Sequence, residues 1–150
     1  MEIVWQVKAF EELTVQELYG LLRLREQVFI IEQNCIYPDL DNKDQKALHV
    51  LGKLNGEIIA YSRLFKPGDY FDTASIGRVV NDPLLRGKKV GYALMQESIK
   101  NIKDKFGETI ITISAQAYLL QFYQSLGFEV QGEGYLEDGI PHNRMIRKEK

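Results

Sequence analysis

The sequence predicts an α/β (α+β) fold with seven strand-like and three helix-like segments in the order β-α-β-β-β-α-β-α-β-β. Three observations carry this prediction: a helix-capping box near the N-terminus, an Asn-Gly hairpin signal, and a long amphipathic stripe followed by a β-branched segment. No linker, internal repeat or low-complexity segment divides the chain, so we expect residues 1–150 to form one domain.

The first half of the chain predicts one helix and three strands. Thr14-Val15-Gln16-Glu17 begins the helix, which extends to about Phe29. Residues 34–46 are polar and predict a loop, and Asn55-Gly56 is typical of a two-residue hairpin turn. The predicted strands are residues 2–8, 47–54 and 57–65. The predicted core side of the helix is Val15, Leu18, Leu21, Leu22, Leu24 and Val28.

The second half predicts two helices and four strands. An apolar stripe at helical spacing marks a long helix that ends at Gly107, and Gly127 ends a shorter helix over residues 117–126. The predicted strands are residues 76–80, 109–114, 128–131 and 142–147. The second of these is almost continuously apolar or β-branched, which indicates a central position in the sheet.

The composition excludes several classes of protein. Hydrophobic residues make up 45% and charged residues 27% of the chain, and no apolar run approaches the ~18 residues of a membrane span. A net charge of −2 argues against a nucleic-acid partner. The N-terminus lacks a secretory pattern and Cys35 is the single cysteine, so we expect a cytoplasmic protein without a multi-cysteine zinc site.

The junction between the fourth strand and the long helix can bind an anion. Helix N-terminal amides lack partners inside the helix, the helix dipole adds positive potential, and glycines allow close approach of a diphosphate. The alternative is a plain turn with a solvated basic run. The junction consists of Arg86, Gly87, Lys88, Lys89, Val90 and Gly91.

Gln116 and Tyr123 are seven residues apart, or two helical turns, so we expect their side chains to project from nearly the same face. A phenol held there can hydrogen-bond or donate a proton. The alternative is a half-buried tyrosine that only packs.

Two motifs make the chain resemble the Gcn5-related N-acetyltransferase (GNAT) family. The first family motif, Arg/Gln-x-x-Gly-x-Gly/Ala, corresponds to residues 86–91. The second, Asn-x-x-Ala-x-x-Phe-Tyr-x-x-x-Gly-Phe, corresponds to residues 116–128. The order of the elements matches over essentially the whole chain. The departures from the motifs are Lys89 for a glycine, Gln116 for Asn and Leu119 for Ala.

The resemblance is closest to the small bacterial ElaA-like branch. It rests there on residues 122–128 and on the groups Arg25-x-x-Val28-Phe29, Glu32-Gln33-Asn34-Cys35, Ile76-Gly77-Arg78-Val79 and Asp138-Gly139-Ile140-Pro141-His142.

The resemblance implies a mixed, mostly antiparallel sheet of six to seven strands, flanked by helices, with strands 4 and 5 splayed apart. It also implies acetyl-CoA as co-substrate and no metal. The backbone amide of Val79 would act as the oxyanion donor and Tyr123 as the general acid. The implied cofactor-binding residues are Arg78, Val79, Val80, Arg86, Gly87, Lys88, Lys89, Val90, Gly91, Gln116 and Tyr123.

The general base stays open at this point. Many members of the family carry a Glu on the fourth strand, where this chain has Ser75, which cannot take a proton at neutral pH. The candidates are Glu32, His49 and His142, or a water relay. A structural hydrogen-bonding role is the alternative for each histidine.

Arg25 and an acidic loop are further candidates for binding the acceptor. Arg25 lies on an otherwise apolar helix face, so its charge needs a partner, which is either an internal salt bridge or a substrate carboxylate. Asp39, Asp41 and Asp44 belong to the loop over residues 34–46, which lacks the spacing of a calcium loop. We interpret this loop as an acidic segment near the acceptor entrance that favours cationic amines.

The resemblance therefore implies an N-acetyltransferase that moves an acetyl group from acetyl-CoA to a primary amine of a small molecule or peptide. The amine attacks directly, through a tetrahedral intermediate. The alternative is a non-catalytic acyl-CoA-binding or sensing module. Ser75 in place of the Glu mildly favours this alternative, whereas Tyr123 in an intact Phe-Tyr-x-x-x-Gly-Phe run favours the enzyme. We expect no nucleic-acid and no membrane partner, and a homodimer stays open.

Overall fold

The computed structural model describes residues 2–149, and the predicted order of helices and strands is confirmed. The strands are β1 Val4–Ala9, β2 Leu48–Leu54, β3 Glu57–Phe65, β4 Ala74–Asn81, β5 Ile110–Gln116, β6 Phe128–Glu137 and β7 Ile140–Lys148. The α-helices are α1 Val15–Arg25, α2 Val90–Phe106 and α3 Leu120–Ser125.

The strands form one mixed sheet in the order β1-β2-β3-β4-β5-β7-β6. Every neighbouring pair is antiparallel except β4 and β5, which are parallel. Positive φ angles of 53° at Asn55 and 83° at Gly56 form the predicted hairpin turn between β2 and β3. The mixed, mostly antiparallel sheet is therefore confirmed.

Strands β4 and β5 separate soon after they meet. Ladder pairs join Ala74 to Ile111 and Ser75 to Thr112 only, although β4 continues to Asn81 and β5 to Gln116. Beyond these pairs β4 keeps β3 as its neighbour and β5 keeps β7. The sheet thus opens between its two central strands, as expected.

A β-bulge lies in the separated part of β4. Tyr61 pairs with Val80 and Arg63 with Gly77, so one residue of β3 faces two residues of β4, Arg78 and Val79. Arg78 has a φ of 50°, a left-handed conformation that is costly for a residue with a Cβ. The bulge takes both residues out of the regular ladder.

The first helix continues in a wider form than predicted. The Thr14 hydroxyl accepts a hydrogen bond from the Glu17 amide at 3.0 Å, and a Glu17 carboxylate oxygen accepts one from the Thr14 amide at 2.9 Å, so the capping box is confirmed. After Arg25 the chain forms a π-helix, Glu26–Glu32. Val15 is 81% exposed, so its predicted place on the core side is wrong.

The two faces of the sheet carry separate cores. The core on one face is built around α2 and includes Leu94, Met95 and Ile102, and Tyr123 and Phe128 belong to it. The core on the other face joins Leu21 and Leu24 of α1 to Leu51 and Tyr61 of the sheet. The open part of the sheet lies between these two packed regions.

The last hairpin is longer than the predicted strands over residues 128–131 and 142–147. Strands β6 and β7 extend to the turn Asp138-Gly139, where both φ angles are positive. Most side chains of β6 are exposed, whichever face of the sheet they project from, so its sequence does not alternate between apolar and polar residues. The segment is a strand because it pairs with β7.

Within residues 2–149, no helix has both the length and the apolar character needed to cross a membrane. The same part of the chain contains no group of three or more His, Cys, Asp or Glu residues placed to hold a metal ion.

Candidate active site

The separation of β4 and β5 creates a cleft with a volume of about 980 Å³. Its walls come from β4, β5, the π-helix and the start of α2. Its lining includes Arg86, Gly87, Lys89, Val90 and Gly91 from the predicted anion-binding junction, whereas Lys88 lies outside it and is exposed. The cleft therefore joins the junction to the splayed strands.

The junction has the backbone of an anion cradle. Gly87 and Lys89 have positive φ angles of 81° and 62°, and α2 begins directly after Lys89. The first amides of α2 lack partners inside the helix, as at any helix N-terminus. A Cβ on Gly91 would lie 3.7 Å from the ring of Phe122, so a larger side chain there would compete for space in the cleft.

An ion pair connects this junction to the π-helix. The guanidinium of Arg86 donates to both carboxylate oxygens of Glu32, one of them at 2.7 Å. This hydrogen bonding lowers the pKa of Glu32 from its usual value. Glu32 lines the cleft, but Arg86 already occupies its carboxylate.

The bulged part of β4 lines the middle of the cleft with Arg78, Val79 and Val80. The Arg78 side chain turns to the loop over residues 34–46, where its Nε donates to Asp39 at 2.8 Å. Beyond Ser75, β4 has no ladder partner on β5, so the edge of β4 around Val79 is open to the cleft. A strand edge in this state can hydrogen-bond to an extended amide chain.

Tyr123 and Gln116 both line the cleft, although they do not share a helix. Gln116 is the last residue of β5, and it exchanges hydrogen bonds of 3.0 and 3.2 Å with Gln33 of the segment after the π-helix. Tyr123 is 6% exposed and packs against Phe122 and Phe128. Burial raises the pKa of Tyr123, so its hydroxyl stays protonated at neutral pH.

His142 lines the cleft beside Gln116, its ladder partner on β5, in a group of polar side chains. Its Nδ1 is 2.6 Å from the carbonyl of Ile140, which can only accept, so Nδ1 carries a proton. Its Nε2 is 3.4 Å from a carboxylate oxygen of Glu137. The other oxygen of Glu137 accepts a hydrogen bond from Ser114 at 3.2 Å.

The sequence did not indicate Glu137, because the predicted strand ended at residue 131 and β6 continues to Glu137. The two positive-φ residues that form the turn, Asp138 and Gly139, were the signal that could have placed it beside His142.

His49 is not near the cleft. It is fully buried, with Nδ1 at 2.6 Å from the Tyr61 hydroxyl and Nε2 at 2.8 Å from the Asp44 carbonyl. Burial lowers the pKa of His49, and both ring nitrogens already have protein partners. The structure therefore gives His49 the hydrogen-bonding role that was the alternative to a general base.

Arg25 is fully buried within a network of ion pairs and does not line the cleft. It bonds Asp39 at 2.8 Å and Asp44 at 2.9 Å. Arg63 bonds Asp41 and Asp44, and Arg78 bonds Asp39. Arg25 thus makes the internal salt bridge, and not a contact with an acceptor in the cleft.

The interpretation of these aspartates as an acidic acceptor entrance is wrong, because all three are neutralised inside the protein.

Comparisons with known proteins agree with this arrangement. Residues 11–149 match the family model for the acetyltransferase (GNAT) domain. The protein ElaA of Escherichia coli (strain K12) is 43% identical over 148 residues, which is 97% of each chain. Its crystal structure has a TM-score of 0.91 and covers 98% of this chain and 100% of its own.

Two further solved structures have the same fold. An acyl-CoA N-acyltransferase from Pseudomonas aeruginosa is 36% identical, with a TM-score of 0.91 over 97% of this chain and 99% of its own. A GNAT family acetyltransferase from Elizabethkingia anophelis, solved with acetyl-CoA bound, is 19% identical, with a TM-score of 0.66 over 97% of both chains.

Proposed function

This chain is an ElaA-like member of the acetyltransferase (GNAT) family, and we propose that it moves the acetyl group from acetyl-CoA to a primary amine of a small molecule or peptide. The observation that carries the proposal is the single cleft that joins the anion cradle at residues 86–91 to the bulge at Val79, to Tyr123 and to His142. The groups that the reaction needs thus line the same cleft.

The residues of the cleft fit acetyl-CoA, the ligand of the Elizabethkingia anophelis acetyltransferase. When bound, acetyl-CoA supplies an activated acetyl thioester. The backbone from Arg86 to Gly91 would hold its diphosphate, because Gly87 and Lys89 already have the left-handed conformations that turn successive amides toward an anion. The edge of β4 at residues 78–80 would bind the extended amide chain.

The bulge on β4 supports a role for the Val79 amide. An N–H group fixed in a dry cleft stabilises the negative charge that develops on a carbonyl oxygen during acyl transfer. Because Arg78 is held in a left-handed conformation, the direction of the next amide is set before any ligand arrives. We assign the oxyanion donor to Val79 on this ground.

His142 is the base that the geometry favours among the three candidates. Glu32 is bound by Arg86 and His49 is buried outside the cleft, whereas His142 lines it. Its Nδ1 donates to a carbonyl, so Nε2 is the nitrogen that can accept a proton from the attacking amine. Glu137 would stabilise the imidazolium that results, since its carboxylate is 3.4 Å from Nε2.

We assign the role of general acid to Tyr123. Its hydroxyl is protonated at neutral pH and faces the cleft from α3, so it can give its proton to the departing thiolate. The amine nitrogen forms the new bond to the acetyl carbon, the carbon–sulfur bond breaks, and no covalent bond to the protein is required.

The test is thiol release from acetyl-CoA with a panel of primary amines. We expect amine-dependent release, and Tyr123→Phe should lower the rate about 10²-fold or more, as removal of a general acid does. Tyr19→Phe is the control, because Tyr19 is 73% exposed on α1, away from the cleft. Coenzyme binding without any amine-dependent release would support the sensing module instead. A Tyr123→Phe enzyme at the full rate would remove Tyr123 from the mechanism.

A further inference from the structure

A second, smaller pocket of about 50 Å³ adjoins the cleft where β4 and β5 begin to separate. The two spaces share Ile76, Gly77, Arg78, Ser114 and Glu137 in their walls. The pocket lies on the face of the sheet that carries α1, because Arg63 is two residues from Tyr61 along β3 and Tyr61 packs on that face. It is large enough for a few non-hydrogen atoms of a ligand.

Two buried polar atoms, in residues that line this pocket, have no hydrogen-bond partner among residues 2–149. They are the hydroxyl oxygen of Ser75 and the Nε of Arg63, and the two residues are 2% and 1% exposed. Both residues line the pocket. Buried polar groups in proteins are almost always bonded, so these two atoms indicate a place for an oxygen atom that the chain itself does not supply.

The charges around Arg63 indicate whether the ligand oxygen belongs to a neutral group or to a carboxylate. The guanidinium groups of Arg25, Arg63 and Arg78 are paired with three carboxylates. The three carboxylates belong to Asp39, Asp41 and Asp44. The network thus has no excess positive charge, and a ligand carboxylate would bring an uncompensated negative charge into it. A neutral hydroxyl or carbonyl oxygen accepts from Arg63 Nε without that penalty.

The same pocket also offers a place for an ammonium group. Glu137 is the carboxylate that lines it, and its neighbours Ser114 and His142 leave its charge without an arginine or lysine partner among the described residues. A primary amine bound by Glu137 would lie next to Nε2 of His142, the proton acceptor proposed above. The pocket and the end of the cleft therefore form one polar region with an anionic end and a neutral oxygen-binding end.

From this arrangement we infer that the acceptor is a compact primary amine that carries a neutral hydroxyl or carbonyl oxygen a few bonds from its nitrogen. Ser75 and Arg63 bind the oxygen, and Glu137 binds the amine. This inference rests on the proposed transferase function and narrows its substrate class. It gives Ser75, which stands where many members of the family carry a Glu, a role in selecting the acceptor.

Two pairs of amines of matched size test the inference. One pair is 2-aminoethanol and propylamine, and the other is glycinamide and glycine, with rates referred to the concentration of unprotonated amine. We expect kcat/KM to be about tenfold or more higher for 2-aminoethanol and for glycinamide, because sites built to bond an oxygen discriminate strongly against ligands that lack it or carry the wrong charge. Equal kcat/KM values within both pairs would overturn the inference while leaving the transferase function intact.

Ser75→Ala distinguishes the pocket from the rest of the site. It should reduce the preference for 2-aminoethanol over propylamine to near unity, and its thermal midpoint should be no lower than that of the natural protein, because the hydroxyl has no partner to lose. Ser62→Ala is the matched control. Its hydroxyl is buried one strand away and bonds Ser98 at 2.7 Å, so this variant should lose stability and keep the preference. A Ser75→Ala enzyme with the full preference would overturn the assignment.

A binding measurement separates the inference from turnover. In ¹⁵N-labelled protein, the amide signal of Gly77 should shift saturably with 2-aminoethanol and glycinamide, and not with propylamine or in Ser75→Ala. If these shifts occur in a protein that releases no thiol, the transferase function fails and the pocket assignment stands. If thiol is released but no such shift occurs, Ser75 and Arg63 bind only solvent, and the inference fails alone.

Discussion

Lys89 is the residue at which this chain departs from the first family motif, within the proposed diphosphate site. Its φ of 62° is a left-handed conformation that glycine adopts freely and that costs a residue with a Cβ about 1–2 kcal/mol. Lys89 still precedes α2 directly, so the fold imposes the backbone shape in spite of the side chain. The strain is a local cost that the rest of the structure offsets.

Lys89→Gly should therefore stabilise the protein. We expect the free energy of unfolding to rise by about 0.5–1 kcal/mol, since the relief of strain exceeds the extra entropy that glycine has in the unfolded chain. Urea denaturation at neutral pH measures the change. Lys88→Gly removes the same charge from a neighbour outside the left-handed region and should lower stability slightly; if both variants behave alike, the strain argument for Lys89 is wrong.

Glu32 is the second residue with a testable effect, because it neutralises Arg86 at the mouth of the anion cradle. Glu32→Gln keeps the size of the side chain and removes a negative charge beside the proposed diphosphate site. We expect CoA to bind about threefold more tightly at low salt, in line with the modest value of an exposed ion pair. Isothermal titration at two salt concentrations measures the effect. Weaker binding by the variant would instead mean that Glu32 holds Arg86 in the orientation that CoA needs.

At the residue scale, the sequence could predict which residues reach the cleft only where a motif fixes their place. Tyr123 and the run from Arg86 to Gly91, apart from Lys88, were found this way, because the spacing of glycines and aromatic residues is a local property. Glu137 of the cleft and Arg63 of the adjoining pocket were not found. Their surroundings are contributed by residues far away in the chain, such as Asp41 for Arg63, and no local pattern carries such contacts.

At the scale of elements, the loop over residues 34–46 is held by the helix before it. Arg25, the last residue of α1, donates to the side chains of Asp39 and Asp44 and to the carbonyl of Asp39. The acidic appearance of this loop in the sequence therefore reflects internal ion pairing. The sequence showed that Arg25 needed a partner, but three aspartates and three arginines allow many pairings, and only the packing selects among them.

Arg25→Met should destabilise the protein by about 3 kcal/mol or more, because it leaves two buried carboxylates with one fewer partner each. Amides of residues 34–46 should also exchange hydrogen faster than in the natural protein, since the loop loses its attachment to α1. Denaturant titration and hydrogen exchange measure the two effects.

The control for this prediction is Arg23→Met, two residues earlier on the exposed side of the same helix. It should change stability by less than about 0.5 kcal/mol. If Arg25→Met were equally mild, the buried network would contribute nothing to holding the loop.

At the scale of the whole molecule, the order of elements was predictable and the opening of the sheet was predictable only through the family resemblance. Helix caps, the Asn55-Gly56 turn and the stripe of α2 are local signals, and the structure confirms them. That β4 and β5 pair at two positions and then diverge depends on contacts of each strand with its other neighbour. Neither strand carries this information in its own residues.

The ion pairs between α1 and the edge of the sheet predict how the stability of the protein changes in acid. Glu17 at the start of α1 accepts hydrogen bonds from Lys8 of β1 at 2.9 Å and from Lys53 of β2 at 2.7 Å. Burial alone would raise the pKa of Glu17, but the hydrogen bonds from Lys53, the Thr14 amide and Lys8 outweigh it and lower the pKa to about 2. Asp41, bonded by Arg63, also has a pKa of about 2 despite partial burial.

A carboxylate whose pKa is lower in the folded than in the unfolded protein contributes stability above its unfolded pKa, and this contribution is lost as the pH falls toward the folded value. Between pH 5 and pH 2 the natural protein should therefore lose stability steeply. Glu17→Gln should be less stable by about 2 kcal/mol at pH 7, after allowance for solvent screening at the two lysines, and the difference should vanish near pH 2. Urea denaturation at a series of pH values measures both curves. Glu57→Gln changes an exposed carboxylate at the start of β3, and its free energy of unfolding should depend on pH in the same way as that of the natural protein. A constant difference between Glu17→Gln and the natural protein at every pH would show that the loss comes from packing and not from the charge of Glu17.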